Sequence, residues 1–117
     1  MSAERFLPRR KARRSSPGDR LRDALLRLCD HHGQIVDHKE RTWASITFAG
    51  SRHTVGILFA GEDAVEAGER FIAALPENEF AIPGHLVADA TVAEVDHRLV
   101  PLPRLAVRCE LLLLEDA

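Results

Sequence analysis

Apolar positions recur along the chain at two different periods, and the switches between them divide it into six elements. Leu21, Ala24, Leu25, Leu28 and His32 fall on one face at the 3.6-residue period, with Cys29 at its flank. Ser16 stands as N-cap ahead of Pro17 at the first helical position, and Asp19 is spaced to complete a capping box. Gly33 is the expected C′ stop of this first helix. The stretch "TWASITFAGSRHTVGILFAG" then alternates on either side of Gly50-Ser51, a pair suited to a type II′ turn. That turn would set Trp43 opposite Leu58. Ala44, Ile46, Phe48, His53, Val55, Ile57 and Phe59 share one face, read as core; Trp43, Ser45, Thr47, Thr54, Gly56 and Leu58 share the other, read as half-exposed. Gln34 to Arg41 has no decisive period, although Ile35 and Val36 could extend the first strand through a bend.

A second helix is expected between Gly61 and Pro76, with Glu62 and Asp63 complementing the dipole in its first turn. Ala64, Gly68, Phe71 and Leu75 form its buried stripe, flanked by Val65 and Ile72. Glycine inside a helix costs about 1 kcal/mol against alanine, so a close approach to the sheet is the expected reason for Gly68. After Pro83-Gly84, "HLVADATVAEVDH" and "LAVRCELLLLED" read as two further strands joined by "RLVPLPR". Leu105, Val107, Cys109, Leu111 and Leu113 share one face, while Leu112 and Leu114 make the end of the last strand apolar on both sides. The order α-β-β-α-β-β with short connections predicts an α+β two-layer sandwich: two helices on one face of a mainly antiparallel four-stranded sheet, the other face open.

Length supports this as a single unit, since 117 residues match the commonest domain size. The net charge of −2 conceals an asymmetry. Residues 1–16 carry six basic side chains, Arg5, Arg9, Arg10, Lys11, Arg13 and Arg14, against Glu4, which leaves ten basic and seventeen acidic side chains for residues 17–117. The reading is a basic arm, flexible in solution, joined to an acidic domain. No long apolar run suits a transmembrane segment, and the start lacks the apolar region of a secretory signal, so a cytoplasmic location is expected. The Arg-, Ala- and Leu-rich composition without tyrosine resembles that of a GC-rich bacterium.

The densest candidate chemistry is "CDHHGQIVDH", where Cys29, His31, His32 and His38 could be metal ligands. The spacing matches no paired zinc motif, and histidines in a last helical turn are well placed to cap it, so neither a metal nor a cofactor is expected. His53, His85 and His97 are read as lying near turns or strand ends. One of them beside Asp89 or Asp96 would make a small His/carboxylate enzyme, but no nucleophile elbow or phosphate loop accompanies them, so catalytic residues are not assigned. The surplus apolar residues Trp43, Leu58, Leu112 and Leu114, with Leu26, favour a non-catalytic binding or regulatory module that self-associates as a homodimer through its open face, where Ser45, Thr47 and Thr54 also lie. The alternative is an accessory binder of nucleic acid, an anionic surface or an acidic partner through Arg9, Arg10, Lys11, Arg13 and Arg14.

Overall fold

A computed structural model describes residues 16–116. It contains helix α1 (Pro17–Leu28), strands β1 (Gln34–Ala44) and β2 (Ala49–Ala60), helix α2 (Glu62–Ala74) with a 3-10 turn at Leu75–Glu77, then strands β3 (His85–Arg98) and β4 (Arg104–Glu115). The architecture is the expected α+β sandwich in the order α-β-β-α-β-β. The four strands form one antiparallel sheet in the order β1-β2-β4-β3, so each hairpin contributes an edge and an inner strand. The arm residues Arg9, Arg10, Lys11, Arg13 and Arg14 lie outside the described residues.

Helix α1 starts as the sequence dictates. Ser16 Oγ accepts from the Asp19 amide, and the Asp19 carboxylate accepts from the Ser16 amide, each at 3.1 Å. Its end differs from expectation. The helix stops at Leu28, and Asp30 and His31 take left-handed φ angles of 54° and 60°. The His31 amide reaches back to the Leu26 carbonyl, giving a six-to-one closure that satisfies carbonyls of the last turn. His32 is therefore exposed rather than part of the buried stripe, and Cys29 takes its place beside Leu21, Ala24 and Leu25. Gly33 serves a different purpose. A Cβ there would lie 2.7 Å from Ile57 and 2.8 Å from Phe59, so glycine lets the chain cross the core onto β1.

The first hairpin also corrects the sequence reading. Its turn is Ser45–Phe48, closed by the Ser45 amide to the Phe48 carbonyl at 2.8 Å and by the Phe48 amide to Ser45 Oγ at 3.0 Å. Gly50-Ser51 is inside β2, and Trp43 lies opposite Gly50, eight positions from Leu58. This register lets Gln34–Ala44 join the ladder with a bulge at Val36, whereas a turn at Gly50-Ser51 would strand Gln34 to Glu40 without partners. A slip by an even number preserves the faces, so His53, Val55, Ile57 and Phe59 are core as expected. Ala44, Ile46 and Phe48, expected in that core, are exposed at the turn and the strand end that leads into it.

The core lies between the helices and one sheet face. Leu21 and Leu25 of α1 and Val65, Phe71 and Leu75 from the α2 segment meet Val55, Ile57 and Phe59 of β2 and the odd-numbered row Leu105 to Leu113 of β4. Gly68 is where α2 comes closest: a Cβ would stand 2.7 Å from Leu105 and 2.8 Å from Phe59. Leu26, counted with the surplus apolar residues in the sequence, packs half-buried against this core.

Candidate functional site

The face of the sheet away from the helices is organised in rows across four strands. The first is apolar: Trp43, Gly50, Leu114 and Leu86. The second holds Arg41, Arg52, Leu112 and Asp89, the third Lys39, Thr54, Glu110 and Thr91, and the fourth Asp37, Gly56, Arg108 and Glu94. Beyond them Leu58 lies beside Ala106 and Asp96. Of the residues expected on this face, Trp43, Thr54, Leu58, Leu112 and Leu114 are there, with Leu114 9% exposed and the other four half-buried. Ser45 and Thr47 are instead in the β1–β2 turn, where Ser45 holds the turn closed.

Charge is distributed unevenly on this face. In the fourth row Arg108 bridges Asp37 at 3.5 Å and Glu94 at 3.4 Å, so the row is neutralised within the chain. In the two rows above, the cations Arg41, Arg52 and Lys39 occupy β1 and β2, and the acids Asp89 and Glu110 occupy β3 and β4. Among the described residues none of these three cations forms an ion pair. Arg41 and Arg52 are direct cross-strand neighbours, a like-charge pairing that costs stability in an isolated sheet. With Lys39, Thr54 and Arg108 they line a shallow depression of about 310 Å³.

A second constellation sits on the helix side of the sheet. Arg22 Nη1 is 2.6 Å from His38 Nδ1, His38 Nε2 is 2.8 Å from His53 Nδ1, and His53 Nε2 is 2.7 Å from Ser51 Oγ. Asp19 pairs with Arg22 at the outer end. His53 is fully buried, in keeping with its place on the core face, and lies within β2 rather than near a turn or strand end. The direction of this chain follows from one fact: a guanidinium only donates. His38 Nδ1 therefore accepts, its proton resides on Nε2 and is donated to His53 Nδ1, and His53 Nε2–H is donated to Ser51 Oγ. In this arrangement His53 has no free lone pair with which to take the serine proton, the opposite of what nucleophile activation requires. The relay ties α1 to the first hairpin. Burial holds both imidazoles below the ordinary histidine range; Arg22 pushes His38 the same way, while Glu40 opposes the shift at His53.

Sequence spacing does not reveal this relay, because His38 and His53 are joined only by the β1–β2 pairing, in which His53 opposes Glu40. The other candidates do not assemble. Asp89 occupies the open-face rows while His53 lies in the core face, and Asp96 is beside Ala106. Cys29 is buried and donates to the Leu26 carbonyl at 3.3 Å, His31 and His32 are exposed in the following turn, and His38 belongs to the relay, so these four do not converge. Burial raises the Cys109 thiol to about 12. Among the described residues no helix is long and apolar enough to cross a membrane. No protein-family model matches the chain, and no curated protein or solved structure matches it.

Proposed function

We propose that this protein is a non-catalytic binding or regulatory module that self-associates through the open face of its sheet. The observation that carries the reading is the apolar row Trp43, Gly50, Leu114 and Leu86 at one end of a face that no element among the described residues covers, with Leu86 59% exposed and Leu112 in the next row. Such a row gains by removal from water at about 25 cal/mol per Å², and a second copy offers an identical surface. Sedimentation of the wild type against Trp43→Glu and Leu86→Glu tests this. The wild type is expected to be dimeric at micromolar concentration and both variants folded monomers; a wild type that stays monomeric at high micromolar concentration refutes the reading.

The depression lined by Lys39, Arg41, Arg52 and Arg108 favours one second reading, an accessory binder of nucleic acid or another anionic surface. It requires single-stranded oligonucleotide binding that weakens steeply with salt and is lost in Arg41→Glu/Arg52→Glu.

A further inference from the structure

We propose that the self-association described above is a face-to-face dimer whose two-fold axis runs parallel to the strands, so that β1 of each copy lies over β3 of the other. The inference rests on that reading and adds the orientation and the contacts that select it. An isologous contact between two such faces has two simple axes in the plane between the sheets. An axis across the strands would place β1 over β1 and β2 over β2, bringing Arg41, Arg52 and Lys39 of one copy against the same three of the other. An axis along the strands exchanges the two halves of the face and keeps the rows in step.

The second choice makes the surface complementary to itself. Trp43 then covers the second copy's Leu86, and the apolar rows coincide. Arg41 faces the second copy's Asp89. Glu110 of the second copy arrives over Thr54, between Lys39 and Arg52. Cations that have no partner within the described residues gain carboxylates, and the repulsion between Arg41 and Arg52 is relieved. Row four, with Arg108 already held between Asp37 and Glu94, contributes little to the choice.

The available area suits a modest dimer. Four strands at about 4.8 Å spacing and eight residue steps of about 3.4 Å give a face of about 500 Å² before side-chain relief is counted. Two copies thus bury about 1,000 Å² or somewhat more, at the low end of specific interfaces. A dimer of this size depends on complementarity, which makes charge reversal a sensitive probe.

Sedimentation velocity over a concentration series, on the full chain, compares the wild type with Arg41→Glu, Asp89→Arg and the combined Arg41→Glu/Asp89→Arg. Arg41 and Asp89 are both exposed, so their replacement leaves the core untouched; circular dichroism confirms folding. Each single reversal turns two symmetry-related attractions into repulsions and is expected to weaken the dimer about tenfold or more. The combined variant restores the attraction across the two-fold and is expected to recover most of the wild-type affinity. If the wild type dimerises while the single reversals leave its affinity unchanged, or the combined variant is as weak as the sum of the singles, the proposed axis is overturned and self-association stands. A monomeric wild type overturns the underlying reading instead.

Discussion

The Arg22–His38–His53–Ser51 relay predicts a coupled loss of stability when either imidazole is removed. Replacing His53 with Leu keeps the side-chain volume roughly constant, so cavity formation is a minor term. Two hydrogen bonds disappear: His38 Nε2–H loses its acceptor and Ser51 Oγ its donor. A buried polar group left unpaired costs about 1–3 kcal/mol, and because His38 and Ser51 are half-buried the lower figure applies to each, about 2 kcal/mol together. At roughly 4–8 °C per kcal/mol for a domain of this size, the melting temperature should fall by about 10 °C, partly offset by the apolar gain of a buried leucine. The double-mutant cycle removes that offset. After His53→Leu the further change His38→Leu should cost less than it does alone, with a coupling of about 1 kcal/mol.

The same variants carry a pH signature. Both histidines are held neutral in the folded chain by burial, with the Arg22 guanidinium facing them and Glu40, Asp19 and Asp37 opposing; His85 also faces His53. A folded value below the unfolded one means that the unfolded chain binds more protons, so this contribution to stability is complete above about pH 6.5 and is lost as pH falls from there through the folded values. Urea midpoints measured from pH 7.5 to 5 should therefore decline in the wild type, less in His53→Leu, and least in the double variant. Additive costs in the cycle, or an equal decline in wild type and double variant, would refute the relay.

Two further outcomes follow from the core. Gly68→Ala should destabilise by about 1 kcal/mol in thermal melts despite alanine's better helix propensity, because Leu105 and Phe59, both fully buried, cannot yield the space a Cβ needs; a stabilised variant would contradict the close approach. Cys29 and Cys109 are buried, and the Cys109 thiol is raised to about 12, so a thiol reagent at pH 8 should modify neither in the native protein and both in denaturant, the readout being absorbance of the released chromophore.

What the sequence determined alone is what local signals encode. The capping box at Ser16 and Asp19, the stripe Ala64, Gly68, Phe71 and Leu75, and the alternation from Leu105 to Leu113 each specify an element and its buried face, because a side chain's direction within a helix or strand depends only on spacing. Two apolar helical stripes and four strands then leave few ways to build one core, and the α+β sandwich follows. Alternation also put Trp43, Thr54, Leu58, Leu112 and Leu114 on the open face, since a shift of the hairpin by eight residues leaves side-chain parity intact.

Register was not local. Gln34 to Arg41 is polar and aperiodic, and only pairing along the whole of β2 shows it to be strand, moving the turn to Ser45–Phe48 and carrying Trp43 from beside Leu58 to beside Gly50, about 27 Å along the sheet at ~3.4 Å per residue. The helix stop at Asp30 and His31, where the sequence offered Gly33, depended on the close crossing over Ile57 and Phe59. The contact of His38 with His53, the alignment of both with Arg22, and the division of the open face into cationic and acidic halves likewise exist only once the strands are side by side. Period decides which way a residue points; which residues it meets is decided by hydrogen-bonded ladders between segments distant in the chain.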